Sequence, residues 1–216
     1  MALKEKTMIN KQTLIEKIPQ VEKTWQKMGC RIYQKIWPGS VKSERLWGSV
    51  NAINTLGTSN DCSKYNILDI GCNCGTLSVV ASEHFNKAFG TDKDALSVEG
   101  AKETAKFFGK ENCFFRPYGV QAYIENGCFE EDNIEAIMAY QVLYLLSTKE
   151  VKYLLDRMSK VKAVIFGARP SKKRSKSKYG LWSVKSIKKY LVDPYFDHCE
   201  VMYKDESRWP LVVAYK

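Results

Sequence analysis

The run Asn66-Ile67-Leu68-Asp69-Ile70-Gly71-Cys72-Asn73-Cys74-Gly75-Thr76-Leu77-Ser78 constrains this chain more than any other stretch. Its first residues make a buried strand that ends at Ile70, and an apolar helical pattern begins at Leu77. Between the two, the glycines let the backbone turn sharply and approach a ligand with no Cβ in the way. The helix that follows starts with free N–H groups, which suit a carboxylate or other polar ligand atoms. Strand, glycine turn and helix in this order open a β-α unit, and the chain beyond continues in the same rhythm.

Strands are predicted at Asn66 to Ile70, Ala88 to Thr91, Cys113 to Arg116, Ala136 to Ala139 and Ala163 to Phe166. Two more, His198 to Tyr203 and Leu211 to Tyr215, read as a hairpin. Helical patterns at Leu77 to Phe85, Ala95 to Phe108 and Thr148 to Met158 fall between strands, so the fold class is α/β with a parallel sheet. Ahead of this lies a helical segment in which Leu14, Ile18, Val21, Trp25 and Met28 form one apolar stripe; Pro19 inside it should kink the helix or begin a second. A further helix is expected from Ser43 to Asn54, where Leu46, Val50 and Ile53 share a face and Gly57 is placed to end it. The polar loop from Gly57 to Ser63 then divides the chain into a helical subdomain at 1–60 and an α/β domain at 61–216.

Two acids give the turn its chemistry. Asp69 precedes it, and Asp92 ends the next strand, Lys87-Ala88-Phe89-Gly90-Thr91-Asp92. A carboxylate at Asp92 can accept two hydrogen bonds from a ribose diol. Either acid alone reads equally well as a helix cap. Dinucleotide-binding turns want Gly-x-Gly-x-x-Gly, and here Asn73 stands at the middle glycine, which disfavours an NAD-dependent oxidoreductase.

Asp69 with Gly71 and Gly75 resembles motif I of the class I S-adenosylmethionine-dependent methyltransferases, and Gly90-Thr91-Asp92 with Ala95-Leu96 and Ala101 resembles their second motif. The resemblance implies a Rossmann-like, mostly parallel seven-stranded sheet with helices on both faces, plus an N-terminal helical addition acting as lid or acceptor-recognition element. It implies S-adenosylmethionine as cofactor, with Asp69, Gly71, Cys72, Asn73 and Gly75 at the methionine end and Asp92 at the ribose. The acid that often meets adenine after the third strand is absent; Pro117-Tyr118-Gly119-Val120-Gln121 stands there, leaving adenine to Gln121 or a backbone group. Within the N-terminal part, Trp37-Pro38-Gly39-Ser40 and Arg45 precede the core, and Arg45 is a candidate partner for the cofactor's carboxylate.

The segment Met138 to Leu146 is similar in character to the family's fourth motif, which puts Tyr140 and Gln141 beside the transferred methyl and makes them and Tyr144 the candidate catalytic residues. It lacks both the Asn/Asp-Pro-Pro-aromatic element of base amino methylases and the nucleophilic cysteine of cytosine C5 enzymes. The expected reaction is therefore in-line displacement helped by proximity and orientation. A tyrosine of ordinary pKa, about 10, is a poor base at neutral pH.

The acceptor side is read from charge. The net charge is +10, and no acid occurs between Asp156 and Asp193. Lys172, Lys173, Arg174, Lys176 and Lys178, with Tyr179 and Trp182 among the basic residues, offer phosphate contacts and a stacking surface to an anionic acceptor. RNA ranks slightly ahead of a phosphorylated glycan or small molecule; a solvated loop kept soluble by charge is the plainer reading of the same run. A non-catalytic protein that retains the cofactor fold is the alternative of another class. The seven cysteines lack the spacing of a zinc site or a disulfide framework, so no metal is expected. His84 and His198 read as structural. Nothing resembles a signal peptide or a membrane span, and the expected location is the cytoplasm.

Overall fold

A computed structural model describes residues 9–31, 41–168, 179, 181, 183–202 and 210–216, with side chains at all of these except 41–45 and 59. The Trp37 to Ser40 segment, the side chain of Arg45, the whole run Lys172 to Lys178 and Trp182 lie outside the described residues. Strands β1 (Asn66–Ile70), β2 (Lys87–Thr91), β3 (Cys113–Arg116), β4 (Ile134–Ala139), β5 (Ala163–Gly167), β6 (His198–Met202) and β7 (Leu211–Tyr215) form one sheet in the order β3-β2-β1-β4-β5-β7-β6. Neighbours from β3 through β5 are parallel, while β7 runs antiparallel between β5 and β6. The chain therefore builds outward from β1 in one direction, then crosses to β4 on its other side. The crevice beyond the carboxyl ends of β1 and β4 is the place where such sheets bind ligands.

Strand residues alternate between two apolar layers. Ile67, Ala136, Met138, Ala163, Ile165, Leu211 and Val213 face one layer, and Leu68, Ile70, Ile137, Ala139, Val164, Phe166, Val212 and Ala214 face the other. Helices α1 (Lys11–Lys27), α2 (Val41–Ser59), α3 (Thr76–Ala81) and α4 (Ala95–Phe107) cover the first. The second is covered by α5 (Val120–Glu125), α6 (Cys128–Glu131), α7 (Thr148–Leu155) and α8 (Val184–Ile187), the last continuing as a π-helical turn over Lys188–Val192.

The N-terminal helices share this core. Leu14, Ile18, Val21 and Trp25 of α1 are buried together with Leu46, Val50 and Ile53 of α2 and with the sheet residues of the first layer, so the hydrophobic core runs across position 60. Burial of each such side chain contributes roughly 1.5 to 3 kcal/mol. Helix α1 is one element that continues through Pro19 instead of beginning again there.

Two local expectations are corrected. Gly57 does not end α2, which runs to Ser59; a Cβ at Gly57 would stand 2.3 Å from His84 Cγ, so the position is small to admit that ring. His84 lies in the turn after α3, not in the helix, and its Nε2 is 2.9 Å from Asn54 Oδ1. The Pro117 to Gln121 segment leads into α5, and α6 follows after Gly127 at φ 75°.

Candidate active site

The turn between β1 and α3 has three left-handed residues, Gly71 (φ 72°), Asn73 (φ 48°) and Gly75 (φ 76°). Only glycine adopts that region freely, and asparagine tolerates it better than most. Gly75 has a second reason: a Cβ there would stand 2.8 Å from Ala101 Cβ of α4. The turn is held to the end of β2, because the Gly71 and Cys72 N–H groups donate to Thr91 O at 2.8 and 3.1 Å.

Asp92 follows β2 and is partly buried. Its Oδ2 accepts from the Asn73 N–H at 3.1 Å and its Oδ1 from the Asp94 N–H at 3.0 Å, so the carboxylate is fixed beside the turn by two backbone donors. Asp94, not Asp92, caps α4: its side chain accepts from the Leu96 N–H. This separates Asp92 from the capping role that its sequence position also allowed.

Asp69, near the end of β1, is buried at 2% exposure, and Ser78 Oγ donates to its Oδ2 at 2.6 Å. Burial pushes its carboxyl up to about 7, with the Ser78 hydrogen bond opposing and the nearby Asp92 charge adding to the rise. Asp69 thus sits near the midpoint of its titration at neutral pH. Cys72 is fully buried and its thiol is pushed well above the usual range by burial, then by Asp69 and Asp92, so it is not a nucleophile.

The segment after β4 meets this turn. A Cβ on Gly71 would stand 2.9 Å from Val142 Cγ2, which shows how closely the two approach. Tyr140 packs against the first core layer, and a Cβ on Gly167 at the end of β5 would stand 3.0 Å from its Cδ2 and 3.1 Å from the Gln141 N. Gln141 itself is left-handed, at φ 57°. Tyr144 is half-buried on a 3-10 turn, Leu143–Leu145. The structure therefore brings Tyr140 and Gln141 to the ends of β4 and β5.

Gln121 lies on α5, where its Nε2 is 3.0 Å from both carboxylate oxygens of Glu125. That ties its amide to its own helix. Residues that sequence reasoning passed over are Ser78, Thr91 and Thr104. Thr91 Oγ1 donates to Tyr118 O at 2.5 Å and so fixes the segment after β3 against β2. Ser78 follows the turn closely in sequence, and that proximity is the signal that could have found it. No group of three or more potential metal ligands occurs among the described residues, and none of their helices is long and apolar enough to cross a membrane.

No protein-family model matches the chain, and a search of curated proteins finds no match. Solved structures do resemble it. Magnesium protoporphyrin IX methyltransferase (ChlM) from Synechocystis PCC 6803, with bound SAM, superposes with a TM-score of 0.59 at 12% identity, over 97% of this chain and 99% of that one. EvdMO1 gives 0.62 at 14% identity over 92% of this chain; the match takes in 47% of EvdMO1, so the chain spans about half of that protein's length. The CurJ carbon methyltransferase gives 0.59 at 17% identity, covering 94% of this chain and 65% of that one. The chain has the Rossmann-like fold of class I methyltransferases.

Proposed function

We propose that this protein is an S-adenosylmethionine-dependent methyltransferase. The observation that carries the reading is the joining of the two acid-bearing strand ends: the Asn73 N–H of the glycine turn binds the Asp92 carboxylate at 3.1 Å, in the crevice beside the switch from β1 to β4. The turn suits a polar ligand on its own account. Thr76 Oγ1 is buried and has no hydrogen-bond partner among the described residues, a cost that a bound ligand can offset. The solved structures of ChlM with SAM and of the EvdMO1 N-terminal domain with SAH have the same fold, which favours this cofactor over a dinucleotide.

In this reading Asp92 holds the ribose diol, and Asp69 with the Gly71 to Gly75 turn lies at the methionine end. Gln141 and Tyr140 orient the acceptor at the ends of β4 and β5. The cofactor supplies an electrophilic methyl on sulfur; the protein aligns the acceptor atom and excludes water. With no nucleophile or strong base at hand among the described residues, orientation is the protein's main contribution.

The acceptor is read as anionic, with RNA ahead of a phosphorylated glycan or small molecule, from the basic run Lys172, Lys173, Arg174, Lys176 and Lys178 and from Trp182 beside it. Incubation with methyl-labelled cofactor and fractionated cell extract tests the whole reading. Label in RNA supports it, label in a small neutral metabolite removes the anionic acceptor, and binding without any transfer favours the non-catalytic alternative.

A further inference from the structure

Arg31, a few residues beyond α1, and Thr104 of α4 hold the glycine turn by hydrogen bonds. Asn73 Nδ2 donates to Arg31 O at 2.8 Å and lies 3.2 Å from Ser97 Oγ, which in turn donates to Asp94 Oδ2 at 2.8 Å. Nearby, Trp25 Nε1 of α1 donates to Thr104 Oγ1 of α4 at 3.0 Å, with Gly100 O at 3.2 Å, and Thr104 Oγ1 lies 2.7 Å from Cys74 O, the next carbonyl of the turn. Cys30 Sγ approaches Leu96 O at 3.1 Å. Trp25, Asn73 and Thr104 are all buried, at 1%, 5% and 0% exposure.

These bonds solve a problem that the turn cannot solve alone. A segment with three left-handed residues and two glycines has many conformations open to it, so one of them must be selected from outside. Asn73 does this with both ends of the residue, its amide group on Arg31 and its own N–H on Asp92. Thr104 does it through Cys74. Resting on the cofactor reading above, we infer that Asn73 and Thr104 are positioning residues, which raise cofactor affinity by preorganising the turn and the Asp92 carboxylate. A preformed site loses none of its binding energy to ordering, so affinity falls by the fraction of molecules whose turn is misplaced.

The competing view is that the Asn73 and Thr104 bonds only help to pack the surrounding elements, and then removing them would affect stability alone. Three variants separate the two: Asn73→Gly, which suits the left-handed backbone and deletes the amide; Thr104→Val, which keeps the shape and deletes the hydroxyl; and Leu14→Ala, which removes stripe contacts far in sequence from the turn. Each is titrated calorimetrically with S-adenosylhomocysteine well below its melting temperature, and amide hydrogen exchange of residues 71–75 is followed without ligand. Asn73→Gly and Thr104→Val are expected to weaken binding about tenfold each, the worth of about one hydrogen bond, and to speed exchange in the turn. Leu14→Ala should lower the melting temperature while leaving the dissociation constant within about twofold of the parent, since it cuts no bond to the turn. Unchanged affinity and exchange in both turn variants, or an equal loss of affinity in Leu14→Ala, would overturn the inference. If the parent protein does not bind S-adenosylhomocysteine at all, the cofactor reading fails, and exchange alone then decides: faster exchange in both variants keeps the bracing of the turn by Asn73 and Thr104, unchanged exchange removes it.

Discussion

Ser78 Oγ donates to Asp69 Oδ2 at 2.6 Å inside the protein, so the first residues of α3 brace the acid that precedes the turn. The brace does not fully offset burial, and the carboxyl is raised from its ordinary 3.8 to about 7. A raised acid binds its proton more tightly in the folded state. Its contribution to stability is therefore complete below pH 3.8, falls as pH rises toward 7, and is constant above that. Comparing thermal melts of the parent and Asp69→Asn between about pH 4 and 8 should show the parent losing stability relative to the variant across this window. The same titration bears on binding: if the ionised form holds the cofactor's ammonium, affinity in the parent should rise with pH through about 7 and this rise should vanish in the variant.

Gly75 and Gly127 have nearly the same backbone, φ 76° and 75°, in different surroundings. A Cβ on Gly127 meets nothing within 4 Å, whereas one on Gly75 meets Ala101 Cβ at 2.8 Å and Ala101 Cα at 3.0 Å. Gly127→Ala should cost about 1 kcal/mol, the penalty of the left-handed conformation alone. Gly75→Ala should cost about 2 to 4 kcal/mol, because α4 must move as well, and urea melts of the two variants measure the difference.

Gly57→Ala puts a methyl into the His84 ring, with the nearest approach at 2.3 Å. The expected loss is about 1 to 3 kcal/mol, together with the His84 to Asn54 contact. In a His84→Ala background the same change should be neutral or stabilising by up to about 1 kcal/mol, since alanine is the better helix former. A double-mutant cycle that shows no coupling would place His84 elsewhere.

Neutralising Lys172, Lys173, Arg174, Lys176 and Lys178 is expected to leave the affinity for S-adenosylhomocysteine nearly intact and to weaken binding of the acceptor. With RNA, removing the cation that neutralises one phosphate should flatten the log-log salt dependence by about one unit. Unaltered acceptor efficiency and salt dependence would make the run a solubilising loop.

The sheet was legible because strands declare themselves locally, most clearly the buried ones. Alternating or continuous apolar runs bounded by turns located all seven strands, and the β6–β7 pair emerged as antiparallel neighbours. Boundaries slipped by a residue or two, about the usual uncertainty at element ends, as at Lys87 for β2 and Ile134 for β4. What stays hidden in the sequence depends on contacts distant along the chain. Gly57 looks like a helix stop until His84 is seen against it, and nothing near Trp25 announces that its indole will reach Thr104. The short helices α5 and α6 have too few turns to show a period, so Gln121 reads as open to adenine until a helical step brings Glu125 within reach of its amide. At the site itself, the two acids and the turn were legible as a pattern; the hydrogen bond that joins Asn73 to Asp92 was not.

Asp92 is the residue on which the cofactor reading most directly depends, because its carboxylate is the group proposed to hold the ribose. Calorimetric titration with S-adenosylhomocysteine should show binding to the parent protein and a dissociation constant roughly thirty- to a hundredfold higher for Asp92→Ala, about 2 to 3 kcal/mol, the range for hydrogen bonds to a charged group. NAD should give no comparable heat with either. A folded Asp92→Ala protein that binds S-adenosylhomocysteine as tightly as the parent, or a parent that binds NAD in its place, would contradict that reading.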